Sequence, residues 1–317
     1  MLSTMAVAPD SKESRTRRRT ATTGLGFVVF ACAKSGTTWV QRFLSAHPSI
    51  HCGESRLFGK YFRYEPSRYS APHISVEGYA GLLLKYLSAP ASGDDRAVFS
   101  DDLLRGLIDA IADTCRGASG KPIYGEKFTP FADTEREAAA RLLEYRPGMP
   151  IVHLVRDGRD VAVSGFAQQA GNRLRSKHGG WDEDATRRAL LDRRIPDDQF
   201  DLWTRMWRQS VEAGLTLEQH GAMRVRYEDM LADPEREFSR ILGHLGADTA
   251  TEVMSSCIEA ASFEKLSGGR ARGQCDNTSF FRSGSSGDWR TWLTPEQSGR
   301  FEAEAGELLR LLGYCES

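Results

Sequence analysis

Lys34 stands two residues before Gly36 in the run Phe27-Val28-Val29-Phe30-Ala31-Cys32-Ala33-Lys34-Ser35-Gly36-Thr37-Thr38-Trp39. Residues of these types in this order suit the capture of an anion. The apolar stretch predicts a strand, the small residues a turn, and the segment from about Trp39 to Ala46 a helix. A helix N-terminus presents unpaired backbone N–H groups and the positive end of its dipole. Gly36 admits an anion close to the backbone, Thr37 and Thr38 add hydroxyl donors, and Lys34 adds a full charge. The position of the lysine selects the anion. A nucleoside triphosphate loop ends Gly-Lys-Ser/Thr, whereas Thr37 follows Gly36 here, so a Mg-triphosphate site does not fit. A plain strand-to-helix turn is the competing reading of this segment alone.

A second strand-turn-helix follows. Pro150-Ile151-Val152-His153-Leu154-Val155 reads as a buried strand and stops at Arg156-Asp157-Gly158-Arg159-Asp160; helical character runs from Val161 to Gln169. Arg156 falls at the strand's carboxyl end, where open parallel sheets bind ligands. Ser164 falls about two turns into the helix, so its hydroxyl and the Arg156 guanidinium suit one phosphate. The alternative is a loop of ion pairs, with Arg156 and Arg159 matched to Asp157 and Asp160.

Together these segments resemble the sulfotransferases that use 3′-phosphoadenosine 5′-phosphosulfate (PAPS). The first looks like their 5′-phosphosulfate loop, which implicates Lys34, Ser35, Gly36, Thr37, Thr38 and Trp39 in donor binding. The second resembles their 3′-phosphate motif, an arginine followed eight residues later by a serine, here Arg156 and Ser164. Met223-Arg224-Val225-Arg226-Tyr227-Glu228-Asp229-Met230 looks like the strand ending in Tyr-Glu-Asp that sets a tyrosine, here Tyr227, beside the adenine. Phe280-Phe281-Arg282-Ser283-Gly284-Ser285-Ser286-Gly287-Asp288-Trp289-Arg290 resembles the Arg-Lys-Gly-x-x-Gly-Asp-Trp segment that closes over the 3′-phosphate, with Phe281, Arg282, Ser283 and Gly284 as the contacts. The usual lysine is Ser283, so one charge on that phosphate is missing. The resemblance reaches from Phe27 to Trp292. It implies an α/β fold, a P-loop-type parallel β-sheet flanked by helices on both faces, in a single domain over 24–317. It also implies transfer of the sulfuryl group from PAPS to a hydroxyl, with release of 3′,5′-ADP (PAP).

Sulfuryl transfer asks for positioning and for cations on developing charge, as phosphoryl transfer does, and lysines satisfy it without a metal. Lys34 is the first such cation. Lys127 is the second, in Tyr124-Gly125-Glu126-Lys127-Phe128-Thr129-Pro130, placed just past a strand. That segment is similar to the Glu-Lys-(Ser/Thr)-Pro motif of carbohydrate sulfotransferases, with Phe128 as an extra residue; a solvated lysine at a strand end is the alternative. A hydroxyl acceptor also needs a general base. Thr129 stands where phenol sulfotransferases place a histidine. Cys52-Gly53-Glu54-Ser55-Arg56-Leu57-Phe58 resembles the segment of heparan-type enzymes that carries their catalytic glutamate. Glu54 is therefore the first candidate base, Glu126 the second, and His51 or His153 the third, although His153 reads as a core residue.

The elements that must hold these groups alternate. Apolar runs at 26–32, 122–125, 150–155 and 223–227 predict parallel strands, and the segments between carry helical periodicity, as in Phe200-Trp203-Met206-Trp207-Ser210. Pro234 and Thr294-Pro295-Glu296 open two further helices. Residues 56–100 and 170–198 resist this scheme; in the resembling family, insertions there cover the acceptor pocket. The net charge of −1 gives no reason to expect nucleic acid as a partner. No apolar run approaches a bilayer span. Six cysteines lack CxxC or zinc spacing, so they are expected to be reduced and the protein cytoplasmic. Residues 1–23 read as a disordered basic tail, with a transit peptide as the lesser alternative. The acceptor is expected to be a small molecule or sugar; the choice between monomer and homodimer stays open. A small-molecule kinase and a catalytically silent nucleotide-binding protein are the rival functions.

Overall fold

A computed structural model describes residues 24–54, 57–58, 62–63, 73–74, 76–84, 94–130, 134–175 and 182–314. The expected tail over 1–23 lies outside the described residues, as do Tyr61, Tyr64, Tyr69, Trp181 and Cys315. Seven strands occur among them: β1 (Phe27–Phe30), β2 (Ile50–Gly53), β3 (Phe62–Arg63), β4 (His73–Ile74), β5 (Ile123–Phe128), β6 (Ile151–Val155) and β7 (Met223–Arg226). β3 and β4 form a short antiparallel pair. The other five make one parallel sheet in the order β2-β5-β1-β6-β7. The chain leaves β1 towards β2 and β5 on one side and then crosses to β6 and β7 on the other. The carboxyl end of β1 is thus the switch point at which such sheets open a crevice.

Alternation along β1 buries both faces. Phe27 and Val29 pack with Val40, Phe43, Phe238 and Ile241, under the helices Thr37–Ala46 and Pro234–His244. Val28 and Phe30 face Ile108, Ala138, Leu142 and Leu217, contributed by the helices Asp94–Ser119, Glu135–Tyr145 and Asp197–Gln219. A third cluster joins the helices Gly158–Arg175, Asp197–Gln219 and Pro295–Leu311 around the fully buried Trp207 and Phe301. Pro295–Leu311 opens on a capping box between Thr294 and Gln297. Among the described residues no helix is long and apolar enough to cross a membrane.

The expected α/β architecture holds, and four local expectations change. The edge strand β2 is an addition; its only inward residues are Ile50 and Cys52, too few to register as an apolar run. β5 extends past the apolar run to Phe128, so Glu126 and Lys127 lie within the strand rather than beyond it. Tertiary partners, described below, stabilise these two charges in place. The helix after Arg156 begins at Gly158 and the first helix at Thr37. Tyr227 opens a short helix, Tyr227–Ala232, instead of ending the strand.

His153 is the core residue expected. Its ring is buried against Gly214, and Nδ1 lies 2.6 Å from Glu218 Oε1, which also accepts from Arg224 Nε at 2.8 Å. Burial pushes His153 below its ordinary pKa of 6.5. Burial opposes ionisation of Glu218, but the hydrogen bonds from His153 and Arg224 hold it down to about 2. Both folded values lie below the unfolded ones, so the unfolded chain takes up protons first as pH falls. The contribution of this pair to stability is therefore expected to be level above pH 6.5, to decline below it, and to decline further from about 4.5 towards 2. Urea midpoints measured between pH 7 and 2 check this. Glu218→Gln is expected to be less stable at pH 7 and to have a shallower dependence below 4.5; an unchanged acid slope would remove Glu218 from the account.

Candidate active site

The parallel register brings the candidate residues to one edge. Gly53 pairs with Glu126, so Glu54 emerges from β2 beside Lys127 of β5. Val155 pairs with Arg226, so Arg156 emerges from β6 beside Tyr227. Between these pairs β1 delivers its turn. Lys34 has φ 73 and Gly36 φ 94, and Gly36 caps the helix Thr37–Ala46. A Cβ on Gly36 would stand 2.5 Å from the Tyr227 ring. Glycine is thus required twice, by backbone conformation and by contact.

Around this edge lies a cavity of about 460 Å³, a volume suited to a small ligand. It is lined by Lys34, Gly36, Thr37, Thr38 and Trp39 from the first loop, and by Glu54 and Lys127 from the neighbouring strands. Arg156, Ser164 and Tyr227 line its other side, and Phe281, Arg282, Ser283 and Gly284 close over it. Two candidates stand apart. Glu126 is buried on the opposite face of β5 from Lys127 and accepts a hydrogen bond from the Tyr124 hydroxyl, so it does not line the cavity. The Ser35 side chain is also buried off the cavity, and its Oγ has no partner among the described residues. His51 stacks on Tyr124 and His153 lies in the core, both off the cavity.

Several cations line this cavity. Lys127 Nζ lies 2.7 Å from Glu54 Oε2 and 3.4 Å from Thr38 Oγ1. Lys34 Nζ sits 4.5 Å from the Phe280 ring centroid. Burial, then the charges of Arg156, Arg282 and Lys127, lower the Lys34 pKa to about 7. Arg156 lies over the Tyr227 ring at 4.5 Å and donates to the carbonyls of Lys34 and Ser285, each at 3.0 Å. Arg282 donates to Asp288. The Nε–H groups of both arginines are buried without a partner among the described residues. Arginine side chains lining a cavity fit an anionic ligand such as a phosphate.

The ion-pair reading of the Arg156–Asp160 loop is half realised. Arg159 makes a bidentate bond to Asp157 and stacks on Trp289. Asp160, fully buried, instead accepts from the backbone N–H of Gly287 at 2.6 Å and of Trp289 at 3.0 Å. It thereby fastens the closing segment to the second loop. Glu228 accepts from the Asp157 N–H at 3.1 Å, which ties the Tyr-Glu-Asp run to the same loop.

Several lining residues were not anticipated. Gln168 lies one turn beyond Ser164 on the same helix face, a spacing that would have revealed it. Phe280 precedes an expected contact. Gln41, Arg42, Leu231, Phe263, Leu266 and Arg272 carried no local signal; only the folding of a distant segment back to the first loop brings the last three to the cavity.

A model described as the Sulfotransferase family matches residues 27–251, well over half of this chain, and the chain belongs to that family. It is 26% identical to sulfotransferase 1B1 of Canis lupus familiaris over 161 residues, 48% of this chain and 52% of that protein. It is 31% identical to cytosolic sulfotransferase 4 of Arabidopsis thaliana over 108 residues, 34% of this chain and 36% of that one. The chain thus spans about half the length of the first of these relatives. The fold is shared with mouse sulfotransferase SULT7A1 complexed with PAP, at TM-score 0.51 and 17% identity over 90% of this chain and 84% of that one. It is shared equally with the sulfotransferase domain from the curacin biosynthetic pathway, at TM-score 0.51 and 14% identity over 89% and 98%.

Gly36→Ala is expected to cost about 1–2 kcal/mol for its left-handed backbone, plus the collision with Tyr227. Gly299→Ala, in open space within a helix, is expected to be neutral or stabilising by up to about 1 kcal/mol. Thermal unfolding of the two variants side by side checks the difference.

Proposed function

We propose that this protein is a sulfotransferase that moves the sulfuryl group of PAPS in line to a hydroxyl of a small-molecule or carbohydrate acceptor and releases 3′,5′-ADP. The observation that carries the reading is the convergence of Lys34, Lys127, Arg156 and Arg282 on one cavity at the carboxyl edge of the sheet. A ligand with more than one anionic centre matches that set, and family membership supports the chemistry. When bound, PAPS supplies an activated sulfuryl group and a phosphate leaving group.

The residues of the chain provide the rest. Backbone N–H groups at Thr37 and Thr38 and the Lys34 ammonium hold the 5′ side. Arg156, Ser164 and Arg282, with the backbone at Ser283 and Gly284, hold the 3′-phosphate, and Trp39 and Tyr227 flank the base. Lys34 and Lys127 carry the charge that develops during transfer. Glu54, half exposed at the cavity and ion-paired with Lys127, takes the proton of the acceptor hydroxyl. Glu126, bonded to Tyr124 off the cavity, is left with a supporting role behind β2. The lysines and arginines make the reading metal-independent. It extends to a cytoplasmic enzyme with no nucleic acid partner, for which the cytosolic relative in Arabidopsis is the support.

Calorimetric titration tests the reading directly. Micromolar binding of 3′,5′-ADP in preference to ADP and Mg-ATP is expected; preference for Mg-ATP would return the fold to a kinase. Lys34→Ala is expected to lower turnover by about 10²–10³-fold, the loss typical of one transition-state donor. Glu54→Gln is expected to lose about 10²–10⁴-fold in kcat with 3′,5′-ADP affinity retained, in the range of a general base. Retained turnover would move the base elsewhere.

The Lys34 pKa of about 7 adds a proton signature. An anion beside the ammonium favours its charged form and raises that pKa. Binding of 3′,5′-ADP at pH 7.5 is therefore expected to take up a fraction of a proton, and affinity to fall as pH rises above 7. Titrations in buffers of different ionisation enthalpy measure this, and Lys34→Ala is expected to abolish it.

A further inference from the structure

We infer that Arg272 is a further donor-binding residue, whose guanidinium contacts the 3′-phosphate of the nucleotide; the inference rests on the PAPS reading above. Three of the other cavity cations are already engaged. Lys127 is paired with Glu54, Arg282 with Asp288, and Arg156 holds two carbonyls. Arg272 lines the same cavity with no carboxylate partner among the described residues. Its guanidinium lies over the Trp39 indole, 5.3 Å from the ring centroid. Stacking on a ring occupies the flat face of a guanidinium and leaves the in-plane N–H fork for an anion.

The loop that carries Arg272 is fastened to the closing segment. The Gly273 N–H donates to the Ser283 carbonyl at 2.8 Å. Two residues earlier in the chain, Arg270 Nη1 donates to the carbonyls of Gln274 and Arg282, each at 2.9 Å, and Arg270 also bonds Phe281. Arg272 is thus held beside Ser283, whose own hydroxyl is spent on Asp288 at 3.0 Å and brings no charge.

The Gly273–Ser283 and Arg270–Arg282 hydrogen bonds set Arg272 beside the segment of Arg282, which the reading above assigns to the 3′-phosphate.

The test is calorimetric titration of the full chain with 3′,5′-ADP and with 5′-AMP, which lacks the 3′-phosphate. In Arg272→Gln the affinity for 3′,5′-ADP is expected to fall about 10–100-fold, as for one lost charge-assisted contact. Affinity for 5′-AMP is expected to stay unchanged. Arg272→Lys is expected to recover part of the loss, and Arg272→Gln to have a shallower salt dependence than the parent. Equal loss of both ligands, or no loss of either, would overturn the assignment. A parent chain that binds 5′-AMP as tightly as 3′,5′-ADP would instead bring down the donor reading itself.

Discussion

The Tyr227 ring is the contact on which the two anion loops depend. It lies beneath Gly36 so closely that no side chain fits there, beneath the Arg156 guanidinium, and against the edge of Trp39. A buried cation over an aromatic face contributes about 2 kcal/mol, but its larger effect here is geometric. It fixes the distance between the turn after β1 and the turn after β6. The loops come from strands that are neighbours in the sheet, so their spacing is also set by the ladder between β1 and β6. Backbone register and ring contact agree, and the cavity inherits its dimensions from both.

Charge inside this edge is tolerated because nearly every group is committed. Asp160 would be costly as an isolated buried carboxylate, and burial does raise its pKa. Two backbone N–H groups and the nearby Arg156 offset that cost. Trp207 donates to the Arg156 carbonyl at 2.9 Å, so the core of the helical layer reaches directly into the site. Burial, and then the neighbouring cations, lower the pKa of Lys34, and an anion beside it favours its charged form.

Much of the fold was legible. β1, β5, β6 and β7 each announce themselves as β-branched or apolar runs, and the helices open on proline, threonine and acidic residues in the expected places. β2 was missed because an edge strand with two inward residues has almost no pattern. Lys127 was seen as chemically important but placed beyond its strand, since a charge in a buried strand contradicts local propensity. Its pairing with Glu54 reverses that preference. Glu126 illustrates the same point from the other side. Its neighbour Lys127 made it a candidate base, yet adjacent residues in a strand point to opposite faces, and only one of the two reaches the cavity.

The sequence by itself determined the two anion loops and hence the family, because their chemistry is local. A left-handed glycine, free N–H groups at a helix start and an arginine at a strand end are all encoded within a dozen residues. Tertiary structure alone decided which carboxylate meets Lys127, that Ser35 turns inward, and that Phe263, Leu266 and Arg272 join a site whose first loop lies more than 200 residues earlier in the chain. Those placements follow from sheet register and from hydrogen bonds between remote segments, such as Asp160 to Trp289 and Gly273 to Ser283. Interactions of that kind leave no periodicity in the sequence, since their energy depends on where distant backbone comes to rest.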